Sequence, residues 1–158
     1  SEGTMVMYEI GDYIICQSGG VWCISQKDET GYTIEEHESG IKKNISADNI
    51  EIVRKIASKN TILDAVDRVG YIRTIKAPND KIRKEFYDEA MAKYDEIEWI
   101  KVIKTVYLRQ KEKKLMPNEI TYYEQAKSYF HGEISVLLEM PLNKVEDYIA
   151  AAVANDSW

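Results

Sequence analysis

The sequence predicts an α+β protein: a small N-terminal β barrel or curled sheet followed by a five-helix bundle. In the first 53 residues, short segments rich in Tyr, Ile and Val alternate with Gly-containing turns, as in small barrels and curled sheets. From Asn60 onward, apolar residues recur with the period of amphipathic helices. Hydrophobic residues make up 44% and charged residues 30% of the 158 positions, which is the composition of a globular protein.

Turn signals divide the first part of the chain into five predicted strands. The clearest are Ser18-Gly19-Gly20, Glu29-Thr30-Gly31 and Ser39-Gly40. A module of such short strands buries little apolar surface, so we expect it to depend on the residues that follow. The predicted strands are residues 8–16, 21–26, 32–36, 41–45 and 49–53.

Proline and glycine mark the limits of the five predicted helices. The residue before a proline avoids helical geometry, so Pro78, Pro117 and Pro141 separate successive helices, and the first helix ends near Gly70. The Ala77-Pro78-Asn79-Asp80 stretch also supplies a new helix cap. The apolar stripe of the second helix is predicted to be Ile82, Phe86, Ala90 and Tyr94, and that of the third Ile97, Ile100, Ile103, Val106 and Tyr107.

The net charge of −6 is distributed unevenly. Residues 1–53 hold three Lys and ten acidic residues, whereas residues 54–158 hold 18 basic and 17 acidic residues. Phosphate contacts need cations, so any DNA contact is expected in the second part. The predicted organisation is an expression scar at residues 1–4, a β domain at 5–55 and a helical domain at 56–158.

Several classes of function lack their usual sequence signals. There is no segment of membrane-spanning length and no signal peptide, so we expect a cytoplasmic protein. A phosphate-binding loop and a nucleophile with its base are missing, and the two histidines lie far apart. We therefore expect no enzyme, no cofactor and no metal. His37 among Glu35, Glu36 and Glu38 has the residue types of a general base, but a solvated turn is favoured.

Two groups of basic residues are nearly free of acidic neighbours. The first surrounds the predicted start of the second helix, where backbone N–H groups also attract phosphate. The second follows the third helix to its C-terminus, where cations also complement the helix dipole, so it is the weaker indication. The groups are Arg68, Arg73, Lys76, Lys81, Arg83 and Lys84, and Lys101, Lys104, Arg109, Lys111, Lys113 and Lys114.

The order of several motifs resembles that of CarD-like proteins, from Met7 almost to the end. Residues 8–15 (YEIGDYII) are similar to the family's opening pattern F-x-V-G-D-x-V-V, and residues 46–49 (SADN) to its strand end V-P-A-x-N. Residues 102–119 (VIKTVYLRQKEKKLMPNE) resemble its helix pattern VVRDLxxRxxExxLxxxE. Ala126-Lys127 and Gly132-Glu133-Ile134 are similar to the helix that follows.

The resemblance implies a non-enzymatic bacterial transcription regulator with two binding domains. The first would be a Tudor-like β module, shared with the transcription-repair coupling factor, that docks on the RNA polymerase β subunit. The second would contact promoter DNA at the upstream edge of the transcription bubble, where the family inserts a tryptophan into the minor groove. An edge strand suits addition of a partner's strand, and a wedge with basic residues suits the minor groove.

This chain departs from the family pattern at the wedge. The family's tryptophan precedes a tyrosine that aligns with Tyr87, or one register back with Phe86, so its place is taken by Arg83 or Ile82. Arg83 would enter a narrow minor groove, and Ile82 would intercalate. Trp99 lies on the next helix and is expected to pack in the core.

We predict polymerase contacts by residues around the shortened hairpin and DNA contacts by the basic residues of the helical part. The alternative is a protein-interaction module that binds polymerase or another partner without touching DNA. A small enzyme with an unrecognised site is a third, more remote interpretation. The predicted polymerase-binding residues are Lys27, Thr30, Lys42, Lys43 and Asn44, and the predicted DNA-binding residues are Lys81, Arg83, Lys84, Lys104, Arg109 and Lys127.

Overall fold

The computed structural model describes residues 7–48 and 50–155. The predicted expression scar at 1–4, and Asn49 at the start of the predicted fifth strand, lie outside the described residues. A five-stranded antiparallel sheet is followed by five α-helices, so the α+β prediction is confirmed. The chain divides into two compact units between Ile56 and Ala57.

The strands of the first unit form one open sheet. They are β1 (Tyr13–Cys16), β2 (Val21–Lys27), β3 (Gly31–Glu36), β4 (Lys42–Ser46) and β5 (Ile52–Lys55). All neighbours are antiparallel, and the order across the sheet is β4-β3-β2-β1-β5. Strands β4 and β5 are its two edges, so the described sheet does not close into the predicted barrel.

Strand β1 is shorter than the predicted strand over residues 8–16. Gly11 has a φ of +95°, and its N–H donates to the carbonyl of Ile24. The N–H of Asp12 donates to the carbonyl of Glu9 at 3.0 Å, which closes a turn before the strand begins. The predicted strand extended through this turn because strand-forming residues lie on both sides of it. The chain turns at Gly11 because glycine tolerates a positive φ.

The core of the sheet comes from inward-facing residues of its middle strands. Ile14, Ile24 and Ile34 are fully buried, one on each of β1, β2 and β3. Strand β4 approaches β3 closely at Gly31, where an added Cβ would lie 2.0 Å from the carbonyl oxygen of Ile45. Glycine is therefore required there, and it brings the edge strand β4 against β3.

The second unit contains the five helices α1 (Lys59–Arg68), α2 (Asp80–Met91), α3 (Glu96–Lys111), α4 (Glu119–Leu137) and α5 (Val145–Asn155). Ser58, Asn79 and Asp95 cap the first three by accepting N–H groups of the first turn. Within residues 7–48 and 50–155, no helix has the length and apolar character needed to cross a membrane.

The buried faces of α2 and α3 differ from the predicted stripes. Phe86 is 38% exposed and Tyr107 55% exposed, although both were predicted to be in the core. On α3, Trp99 is fully buried and stacks on Tyr129 of α4 with ring centroids 5.0 Å apart. The core side of α2 is therefore centred on Tyr87 and that of α3 on Trp99, neither of which belongs to the predicted stripes. On α2, the buried residues are Tyr87, Ala90 and Met91.

Helix α4 also holds the start of the second unit. Glu133 is fully buried, and its Oε2 accepts the N–H of Ala57 at 2.8 Å. This buried hydrogen bond fixes the entry of the chain into α1.

Candidate functional site

Among the described strands of the first unit, β4 is an edge strand that pairs on one side only. The pairs Glu36–Ile41 and Thr30–Ala47, which flank the strand, are hydrogen-bonded at 2.8 and 3.0 Å. Bonded and non-bonded pairs alternate along an antiparallel ladder, so alternate residues of β4 turn their N–H and C=O groups away from β3. The outward main-chain groups are those of Lys42, Asn44 and Ser46.

Four of the predicted polymerase-binding residues lie along this edge or at its neighbouring turn. The side chain of Lys42 is 63% exposed and lies 3.9 Å from a carboxylate oxygen of Glu35. Asn44 is exposed, and its Oδ1 accepts the Thr33 hydroxyl at 2.7 Å. Thr30 lies in the turn between β2 and β3, and Lys27 at the end of β2 contacts Glu9 at 3.3 Å.

Lys43 lies on the other face of the sheet. Its ammonium contacts Glu51 Oε2 at 2.6 Å and Ser18 Oγ at 3.2 Å, and it sits 4.6 Å from the ring centroid of Trp22. The alternation of side chains along a strand explains this position, because Lys43 shares the face of the buried Ile45. The structure therefore gives Lys43 an internal partner that its prediction as a binding residue did not include.

The first turns of α2 carry three of the predicted DNA-binding residues. Lys81 is exposed and forms no ion pair within the part of the chain that the structure describes. The side chain of Lys84 is 57% exposed and reaches Asp88 at 3.0 Å. Arg83 is turned inward, with its side chain 13% exposed and Nη1 2.6 Å from Asp80. Only the two lysines present cations to solvent.

Arg109 belongs to a buried network centred on Glu119. The guanidinium Nε and Nη2 donate to the two carboxylate oxygens of Glu119 at 2.8 and 3.0 Å. The same carboxylate accepts the Tyr87 hydroxyl at 2.6 Å and the N–H of Met116 at 2.8 Å. Burial raises the pKa of Glu119, but the bonds from Arg109, Tyr87 and Met116 outweigh it, so that pKa lies below its usual range. The network joins α2, α3 and α4.

Lys104 and Lys127 are also engaged inside the second unit. The Lys104 ammonium donates to the carbonyls of Val69 and Ile72, both at 2.6 Å, and its burial lowers its pKa. Lys127 contacts Glu146 at 2.8 Å, with its side chain 24% exposed. This partial exposure is typical of a lysine whose apolar stem packs against a helix while its amine reaches the edge of the packed face.

The two residues predicted to replace the wedge tryptophan have different surroundings. Arg83 is held by Asp80, whereas Ile82 is half-buried and its N–H donates to the cap residue Asn79. Tyr87, which sets their alignment, is 1% exposed and stacks on Tyr122 with centroids 4.9 Å apart. Replacement of the wedge by either residue stays a prediction.

Sequence reasoning missed the role of Glu119, although the signal was present. The helix pattern that carries the family resemblance places basic residues at 104 and 109 and an acidic residue at 119. These residues hold helices and turns together. The motif in this chain therefore describes the packing of the bundle.

Comparison with known proteins agrees with that motif. A search of curated proteins found none that matches the chain. The family model described as the CarD C-terminal domain matches residues 72–150, which is half of the chain and includes helices α2, α3 and α4. The chain therefore belongs to the CarD family, whose members are non-enzymatic transcription factors.

Proposed function

We propose that this protein regulates transcription initiation in the cytoplasm of a bacterium by docking on the RNA polymerase β subunit and contacting promoter DNA. Membership of the CarD family supports a role in transcription and an interaction with RNA polymerase in general. The observation that carries the proposal is the open edge of β4, with the outward main-chain groups of Lys42, Asn44 and Ser46. The first unit then acts as the Tudor-like module of the family.

The β4 edge suits docking by strand addition. An extended segment of the β subunit would hydrogen-bond to the outward N–H and C=O groups, and alternate side chains would supply specificity. The exposed side chains of Lys42 and Asn44 lie beside these groups, and Thr30 lies at the adjoining turn. Lys27 is within the same hairpin, whereas Lys43 contributes by holding Trp22 and Glu51 behind the strand.

Asn44→Pro tests the docking mode, because proline removes an outward N–H and leaves the bonds to β3 intact. Asn44→Ala is the matched control, since it loses the same side-chain contact to Thr33 and keeps the N–H. We expect Asn44→Pro to lose binding to the N-terminal lobe of the β subunit and Asn44→Ala to keep it. Circular dichroism establishes that both fold. Equal binding by the two variants would disprove strand addition.

DNA contact is proposed for the start of α2. Lys81 and Lys84 are exposed there, and the helix N-terminus adds its own attraction for phosphate. The other predicted residues, Arg83, Lys104, Arg109 and Lys127, have partners inside the bundle. We therefore assign them to positioning α2 and keep the two lysines as the phosphate contacts.

The salt dependence of binding to a promoter duplex tests this assignment. The slope of log K against log salt is negative, and each lost phosphate contact should reduce its magnitude by about 1. We expect Lys81→Ala with Lys84→Ala to reduce the magnitude by about 2. Lys59→Ala with Lys144→Ala is a matched control of equal charge, because both lysines are exposed and lie on or beside α1 and α5. Identical slopes for the two double variants would remove the α2 lysines from the interface.

A second candidate function is a protein-interaction module without DNA contact. It is favoured by the internal use of four predicted DNA-binding cations and by the missing tryptophan. The salt titration with the promoter duplex distinguishes the two functions. Docking on the β subunit without salt-dependent binding to the promoter duplex would support the second.

A further inference from the structure

A groove runs along the side of α2 that faces the extended residues 73–76. Its volume is about 350 Å³. Ile75, Phe86 and Ala90 form its apolar part, and Phe86 is 38% exposed although it is a large apolar residue. An aromatic side chain left open in a groove of this size provides a surface on which a flat ligand can stack.

The groove is also rich in cations. Arg73 and Lys76 are exposed on one wall and form no ion pair with any residue in the two described ranges. Lys93 and Lys101 line the groove as well and share Glu98, at 3.8 and 3.0 Å. The acidic side chains that line it are Glu89 and Glu98, so cations outnumber acids four to two.

Helix α3 fixes the wall that carries Arg73 and Lys76. The N–H of Ile75 donates to the Thr105 hydroxyl at 2.8 Å, and that hydroxyl donates to the carbonyl of Lys101 at 2.6 Å. Lys104 holds the carbonyl of Ile72 just before the wall. The groove is therefore formed before any ligand binds, which lowers the entropy lost on binding.

We propose that this groove binds an unpaired nucleotide of promoter DNA, with its base stacked on Phe86 and its phosphates near Arg73 and Lys76. The inference rests on the proposed function and adds a single-stranded ligand to the duplex contact at Lys81 and Lys84. Any of the four bases can stack on an exposed aromatic ring, because every base has a π face. An acidic peptide that adds as a strand is a poorer fit, since the N–H of Ile75 already bonds to Thr105.

Fluorescence anisotropy with the full chain and a labelled oligothymidylate of about 12 nucleotides tests the proposal. We expect Phe86→Leu to weaken binding by about tenfold or more through lost stacking, without changing the salt slope. Phe86→Tyr keeps an aromatic ring and should bind the oligothymidylate as tightly as wild type. Tyr107→Leu is the matched control, because Tyr107 is an exposed aromatic residue on α3 outside the groove. Arg73→Ala with Lys76→Ala should reduce the magnitude of the salt slope by about 1.4.

The same measurements separate failure of this inference from failure of the proposed function. If the promoter duplex binds and the oligothymidylate does not, the groove assignment is wrong and the duplex contact stands. If neither binds, both are wrong. Equal affinity of wild type and Phe86→Leu for the oligothymidylate would overturn the stacking. So would equal displacement of the oligothymidylate from both proteins by a polyglutamate peptide, because the groove would then recognise charge alone.

Discussion

The helical unit and the sheet unit each contain a cation held by a carboxylate, but at different depths. In the helical unit, the side chains of Arg109 and Glu119 are 13% and 4% exposed. In the sheet unit, those of Lys43 and Glu51 are 33% and 15% exposed. Glu119 accepts four hydrogen bonds, whereas Glu51 accepts bonds from Lys43 and from the hydroxyl and N–H of Ser18.

The depth of each pair decides which cations remain available to partners. A charge that has lost its water needs its partner, so Arg109 is committed to the bundle. A half-exposed charge keeps part of its hydration and is less dependent on its partner. Lys81 and Lys42 are exposed and carry no such internal role, so we place the contacts with DNA and polymerase there.

The largest effect is expected for Glu119→Gln. The substitution removes the carboxylate that binds Arg109 through two hydrogen bonds and leaves Asp80, at 3.9 Å, as its opposite charge. Breaking a buried pair in this way costs about 3–5 kcal/mol. Urea denaturation followed by circular dichroism measures the free energy of unfolding. We expect the midpoint to fall without a change in slope, because the folded state still buries the same surface.

Two control variants sharpen this result. Tyr87→Phe removes one hydrogen bond to the same carboxylate and should cost only about 1–2 kcal/mol. Arg109→Met combined with Glu119→Leu removes both charges, so it should be more stable than Glu119→Gln. It should still be less stable than wild type, because the Tyr87 hydroxyl and the N–H of Met116 lose their acceptor. If Glu119→Gln lowers the free energy of unfolding by less than about 1 kcal/mol, the Arg109 guanidinium must become hydrated when its partner is removed.

Much of the fold could be predicted from local sequence. Turns at Gly19-Gly20 and Gly40 have positive φ at these glycines, and Asn79 caps α2, so residue type alone marked these boundaries. The faces of the helices could not be predicted as well. Phe86 and Tyr107 fit an apolar stripe by spacing but are exposed, whereas Tyr87, outside the stripe, is buried. Trp99 lies in the core as expected.

The candidate site was harder to predict, because the depth of a charge depends on tertiary packing. Lys104 and Arg109 looked like surface cations in the sequence. Each is bound by groups distant along the chain, the carbonyls of Val69 and Ile72 and the carboxylate of Glu119. In the sequence, nothing distinguished Lys81 and Lys84 from Arg83 as exposed cations. In the structure, the Arg83 side chain turns toward Asp80.

The helical unit also contains a buried histidine that titrates. His131 on α4 is 8% exposed, and burial, with a smaller effect of Lys127, lowers its pKa from 6.5 to about 4. The unfolded chain binds a proton at higher pH than the folded chain, so stability is lost as pH falls from about 6.5 to 4. The loss should total about 3 kcal/mol.

His131→Gln isolates this contribution, because glutamine is polar and does not titrate. Urea midpoints measured at several pH values between 7 and 4 should show a smaller decline for the variant than for wild type. The carboxylate of Glu119 has a lowered pKa in both proteins, so its effect cancels in the difference. Parallel curves would contradict the prediction, because they would show that His131 has the same pKa in the folded and the unfolded chain.

The smallest effect is expected for Lys43→Met in the sheet unit. Methionine keeps the apolar stem against Trp22 and removes the charge beside Glu51. Because Glu51 retains its bonds from Ser18 and some solvent, the free energy of unfolding should fall by only about 1 kcal/mol. The difference from wild type should shrink when Glu51 is protonated at low pH. A loss as large as that for Glu119→Gln would show that depth does not rank the two pairs, and the stacking of Lys43 on Trp22 would then be the stronger contact.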